Sequence, residues 1–220
     1  MTSPTHSPSL DVPLARVDRA QTRRGVLATA AGLLAAAAGV APAHAVPAII
    51  LPRMRSEFAT FAELPIVRPQ HVPTDPGLLF FVQHSINDNV IVYAQHLLAD
   101  GHPDPDDPIE AFWRRYATKG HRRELSFFER MFAFGVASTR RADGTWDVRL
   151  VSLPGREGRF GPGPDGRLRL LLDIDGRPAR PVYVYAEVEA GGFIPTLRHV
   201  DLYAVADGEK GYVRERVVFG

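Results

Sequence analysis

The sequence predicts a mainly β domain: an antiparallel β-sandwich or open barrel of about eight strands, with two short helices inserted between strands 2 and 3. Three observations carry that expectation. Short runs rich in Val, Ile, Leu, Phe and Tyr recur along the chain, each bounded by turn residues. Several of them alternate apolar and polar positions with period two. Helices do not alternate with these runs, as a doubly wound parallel sheet would require. At 220 residues, 45% hydrophobic and 23% charged, the chain is long enough to bury one ordinary core.

The first 45 residues have a different character. Arg23 and Arg24 precede a weakly apolar, Ala-rich run at 26–40, and Ala43-His44-Ala45 follows as an A-x-A cleavage site. That order is a secretory signal, and the adjacent arginines point to the twin-arginine route. The apolar run falls short of the roughly 20 residues a membrane span needs, so no stable span is expected after cleavage. Cleavage after Ala45 would remove four arginines and two aspartates from a chain of net charge +1, leaving it close to neutral. A near-neutral chain has no basic field to attract nucleic acid.

Residues 46–77 contain six prolines and read as an extended lead-in, with at most one short helix near 55–62. A single β-rich domain is expected over 78–220. Its strands are expected at 78–84, 90–97, 132–139, 146–153, 168–174, 182–189, 197–206 and 212–219. In "TWDVRLVSL", Trp146, Val148 and Leu150 share one face, and Asp147 and Arg149 the other. In "PVYVYAEVEA", Val182, Val184, Ala186 and Val188 alternate with Tyr183, Tyr185, Glu187 and Glu189, the pattern of a sheet wet on one side. Asp143-Gly144, Asp175-Gly176, Asp207-Gly208 and "GPGPDG" at 161–166 supply the turns.

The two helices are read from capping chemistry. Asp107, Pro108 and Glu110 look like an N-cap, a first-turn proline and a capping-box acid. Ile109, Phe112, Trp113 and Tyr116 then follow at helical spacing, and Gly120 is a natural stop. "RRELSFFERMF" repeats the pattern with Leu125, Phe128 and Phe132.

Chemistry is sparse. The chain has no cysteine, which excludes disulfides, thiolate metal sites and cysteine nucleophiles. The mature histidines show no H-x-H or H-x-x-x-H spacing, and no metal site is expected. Neither a phosphate loop nor a G-x-S-x-G elbow occurs, and no cofactor is expected. One polar stretch stands out between two apolar runs: His84-Ser85-Ile86-Asn87-Asp88-Asn89. Asn tolerates left-handed backbone and caps turns, so this stretch reads first as a hairpin turn. Its second reading is an amide-lined site formed by Gln83, Asn87 and Asn89.

The run Phe80-Phe81-Val82-Gln83-His84, followed by Asn87-x-Asn89-x-x-x-Tyr93, resembles the opening motif of the family called domain of unknown function 4833. Asp107-Pro108-Ile109, Trp113, Glu129 and Phe134-Gly135-Val136 are similar to its sequel, and "VDLYAVADGEKGYVRERV" to its closing segment. The resemblance covers about 78–217. It implies a shared fold and shared motif positions, adding His84 and Tyr93 to the candidate ligand-binding residues, and it implies no substrate. Relatives carry a basic residue, usually arginine, after the Gln. With His84 in that place, any ionic contact there would need a protonated imidazole.

These readings lead to an exported, non-catalytic domain that binds a small ligand, a glycan or another envelope component. The alternative is a periplasmic enzyme using acid–base chemistry from His84, Glu187 or Glu215. Export is tested first. Replacing Arg23 and Arg24 with lysine should hold the precursor in the cytoplasm on cell fractionation. Undiminished export of that variant would remove the twin-arginine assignment.

Overall fold

A computed structural model describes residues 57, 61, 64, 66–189, 196–208 and 211–219. The expected signal (Arg23, Arg24, Ala43, Ala45) and most of the 55–62 stretch lie outside these residues. The strands are β1 (Leu78–His84), β2 (Val90–Gln95), β3 (Ile109–Arg115), β4 (His121–Glu124), β5 (Val136–Arg140), β6 (Trp146–Leu150), β7 (Glu157–Pro162), β8 (Leu168–Ile174), β9 (Arg177–Glu189), β10 (Thr196–Ala206) and β11 (Tyr212–Val218). A short helix, α1 (Phe127–Glu129), runs on into a π-helical turn at Arg130–Phe134. Among the described residues no helix is long and apolar enough to cross a membrane.

All eleven strands form one sheet, curled into an open half-barrel rather than split into a sandwich. The strand β9 joins its parts. β10 occupies one edge of β9 from Ala179 to Glu189. On the other edge β8 pairs with Arg177–Ala179, and β1 pairs further along with Tyr183–Ala186. Two wings, β1–β4 and β8–β5, therefore leave the same edge of one strand. Every pairing is antiparallel except β1 with β9, which is parallel.

The wings enclose the main core. Phe80, Val82, Ile91, Tyr93 and Trp113 from one wing pack with Trp146, Val148, Leu150, Phe160 and Leu170 from the other. The outer face of β1, β2, β3, β9 and β10 carries a second apolar layer. There Phe81, Val92, Phe112, Tyr183 and Tyr203 are covered by Phe61, Leu64, Ile66 and Val72 of the lead-in. Burial on both faces explains why β1 and β2 read as unbroken apolar runs. It also means that the face of β9 carrying Tyr183 is not wet there, since Tyr183 is fully buried.

The same double burial corrects one helix. Residues 109–115 form β3, with Trp113 in the inner core and its neighbour Phe112 in the outer layer. Adjacent large residues serving two faces produce the i, i+3, i+4 spacing that imitates a helix. Asp107 caps nothing; its carbonyl accepts from the His96 ring at 2.9 Å. The capping box sits later in the chain. Ser126 Oγ accepts from Glu129 N at 3.3 Å, and Glu129 Oε2 accepts from Ser126 N at 2.7 Å. The Glu129 carboxylate also accepts from Trp113 Nε1 at 2.9 Å and Arg123 at 2.7 Å, tying α1 to β3 and β4.

Eleven strands replace the expected eight because β3, β4 and β7 were not legible. In β7 the glycines hid the strand. A Cβ on Gly158 would stand 2.6 Å from Leu172 Cδ2, and one on Gly161 2.8 Å from Thr145 Cγ2. The strand needs glycine for close approach. The Asp-Gly turn at 175–176 does follow expectation, with φ of 54° and 72°, the left-handed pair of a tight two-residue hairpin.

Candidate functional site

The polar stretch after β1 is a tight turn in which its own side chains bond its own backbone. Gln83 stands opposite Val90. Asn87 N donates to His84 O at 3.2 Å, and Asn89 N donates to Asn87 Oδ1 at 2.9 Å, an Asx turn. Asn89 Oδ1 accepts from Ala117 N at 3.3 Å, linking the hairpin to the short 3-10 turn Tyr116–Thr118. Ser85 closes onto β9. Its Oγ donates to Val188 O at 3.1 Å and accepts from Val188 N at 2.9 Å.

The other candidates divide between the two faces of β1. His84 is buried on the inner side, paired with Ala186, its ring 6.1 Å from that of Phe134. Tyr93 is fully buried and stacked on Phe80 at 4.3 Å. Its hydroxyl donates to Phe134 O at 3.0 Å and lies 2.9 Å from Ser152 Oγ. Gln83 faces outward, and its Oε1 accepts from Gln70 N at 3.1 Å. The five residues do not converge on one surface.

What converges instead is a row across the outer face. The registers align Gln83 of β1 with Tyr185 of β9, Tyr185 with Asp201 of β10, and Asp201 with Arg216 of β11. One step along, Phe81, Tyr183, Tyr203 and Arg214 align in the same way. Two-residue steps keep Glu187 and His199 on this face. Asp201 is fully buried at the centre. Arg216 forks onto it with two bonds of 2.7 Å, Arg214 donates to both its oxygens at 3.2 Å, and His199 Nε2 approaches to 3.7 Å. Burial alone would raise the Asp201 carboxyl, but the hydrogen bonds from Arg216 and Arg214 outweigh it and hold the group below its ordinary value.

Around this centre Tyr185, Glu187 and His199 are more accessible, while Gln83 is buried. The Tyr185 hydroxyl donates to Glu187 Oε2 at 2.7 Å, and its pKa is pushed up to about 12 by burial and by Glu187. The Tyr185 and His199 rings lie 6.5 Å apart, both half-buried. The Gln83 amide nitrogen has no hydrogen-bond partner among the described residues. Val67 N donates to the Tyr203 hydroxyl at 3.2 Å, so the lead-in borders the row. Two carboxylates, Asp201 and Glu187, balance two arginines, Arg214 and Arg216. The surface offers donors, acceptors and an aromatic ring without a strong net field.

The span matched by a family model runs from Phe80 to Arg216. The chain belongs to the family described as domain of unknown function, DUF4833. The matched span therefore includes both ends of the row, Gln83 and Arg216. No curated protein and no solved structure shows a match to the chain.

The acid–base trio considered from sequence is scattered. His84 faces the inner core and Glu187 the outer face. Glu215 forks with Arg156 and accepts from Asp175 N at 2.7 Å at the β8–β9 turn. Among the described residues no three His, Asp or Glu side chains are placed to hold a metal ion. Sequence reading missed Asp201, Arg214 and Arg216. The available signal was an aspartate inside the apolar strand "VDLYAVA", and two arginines two residues apart in the next strand.

The buried His84 gives a pH test. Desolvation lowers its pKa from 6.5 to about 4. Between those values the unfolded chain takes up a proton that the folded chain refuses. Stability should then fall as pH drops through that window, by up to about 3 kcal/mol. His84→Gln should flatten this part of the curve relative to the parent, read from urea midpoints at pH 7 and pH 4. Equal declines in both proteins would show that His84 does not set the slope.

Proposed function

We propose that this chain is an exported, non-catalytic binding domain for a neutral, hydroxyl-rich ligand such as an envelope glycan. The observation that carries the reading is the outer-face row Gln83–Tyr185–Asp201–Arg216, with Glu187 and His199 at its side. Its charges are compensated internally, so a strongly charged ligand would gain little. Its half-buried Tyr185 ring suits the apolar face of a sugar, and the flanking Glu187 and His199 groups suit sugar hydroxyls. Arg214 and Arg216 are engaged with Asp201, which fixes the geometry of the floor. The scatter of His84, Glu187 and Glu215 favours binding over acid–base catalysis by that trio.

The test is a panel of immobilised neutral and acidic oligosaccharides probed with the full chain. Neutral members should be retained. Tyr185→Ala should weaken retention by about tenfold, roughly 1.4 kcal/mol, while the melting temperature stays near the parent value. No retention of any saccharide, or retention indifferent to Tyr185→Ala, would contradict the reading.

A further inference from the structure

The half-barrel leaves a second surface that is unlike the polar row. A groove of about 620 Å³ opens between β3 and β5, within the roughly 300–1,000 Å³ of ligand sites. Ile109, Ala111, Leu125 and Val136 line it, and Phe127 and Met131 form an apolar rim, 66% and 50% exposed. Both walls present unpaired backbone. Among the described residues β5 pairs with β6 alone. Val151 N donates to Gly135 O at 2.9 Å and Arg141 N to Thr145 O at 2.8 Å. By that parity the odd residues of β5 bond β6, and Val136, Ser138 and Arg140 turn their N–H and C=O groups to the free edge. His96 N donates to Pro108 O at 2.9 Å, so the even residues of β3 bond β2. Ile109 and Ala111 point the other way, where pairing with β4 begins only at Phe112. Beside the β5 edge, Ser138 Oγ is buried with no hydrogen-bond partner among the described residues.

The arginines at the groove are matched in place, and the Asp107 carboxylate that also lines it lies in the fields of His96 and Arg130. Arg122 forks onto Glu110 at 3.0 and 2.7 Å and reaches Glu124 at 2.8 Å, and Arg130 meets Glu124 at 3.3 Å. The complementary occupant therefore carries no acidic group, since no arginine is left free to receive one, and an uncharged segment costs least to desolvate. Free strand edges on both walls require an occupant that is itself extended and offers backbone donors and acceptors.

We propose that this groove receives an uncharged, extended peptide segment of a partner protein, which adds a strand to the free edge of β5. The peptide's alternate side chains enter the Ile109–Val136 floor and rest against Phe127 and Met131. Five residues of β5, about 16 Å at 3.3 Å per residue, set the length of pairing. The site is separate from the polar row and stands or falls without it.

The test selects phage-displayed random nine-residue peptides on the full chain and measures the enriched sequences as synthetic peptides. Enriched peptides should be uncharged, with apolar residues at alternate positions. Ser138→Pro removes one outward N–H while leaving the β6 bonds in place, and should weaken them by about tenfold. Should that variant fail to fold, Phe127→Ser changes an exposed side chain and should weaken binding in the same direction. Failure to enrich any peptide, or peptides indifferent to the folded variants, would overturn the proposal. So would retention on phosphatidylcholine vesicles, or a dimer broken by Phe127→Ser, which would assign the face to lipid or to a second copy of the chain.

Discussion

The rest of the structure depends on a single strand with three neighbours. A buried strand must satisfy its N–H and C=O groups on both edges. β9 does so with β10 along one edge and with β8 and then β1 along the other. β8 and β1 lead into separate wings, so the sheet has to divide where one pairing ends and the other begins. The division lets two wings close over one apolar core while β9, β10 and β11 continue as a single surface behind it. The parallel β1–β9 pairing is the step that requires most of the chain to be in place, because about a hundred residues separate its partners. Such long-range pairing is slow to close and cooperative once made.

That arrangement also accounts for the buried charge. Asp201 lies in the middle of three paired strands, where an isolated carboxylate would be costly. The register of β11 places Arg216 directly opposite it and Arg214 two residues away on the same face. Their bonds compensate the charge and hold β11, an edge strand, in one register. A one-residue slip would carry both arginines to the inner side and leave Asp201 without them. The row can present Tyr185, Glu187 and His199 in a fixed array because its floor has only one satisfied arrangement.

Much of the fold was legible. β1 and β8 match expectation end to end, and β6 shows the expected alternation, with Trp146, Val148 and Leu150 buried and Asp147 and Arg149 exposed. Misreadings occurred where two demands met in one segment. β3 serves two apolar layers, so its Phe112-Trp113 pair imitated a helical stripe. β7 is held close to its neighbours through Gly158 and Gly161, which by themselves signal a loop. At the site, the Asx turn at Asn87 was readable from sequence, though neither Asn87 nor Asn89 takes the left-handed backbone expected of it, and the placement of Gln83 within β1 was readable too. The partners of Gln83 were not, because Tyr185, Asp201 and Arg216 lie on strands far away in sequence. Registers decide that row, and one chain without its pairings does not display them.

Amide hydrogen exchange measures the central role of β9 most directly. If β9 is the strand on which both wings depend, its Tyr183–Ala186 amides exchange only through global unfolding. They should be slower than the outward amides of Val136 and Ser138 in β5 by on the order of a thousandfold. Both wings should then lose protection together with β9 as denaturant is added. The account is contradicted if the Tyr183–Ala186 amides exchange as fast as those of β5, or if one wing keeps its protection after β9 has lost its own.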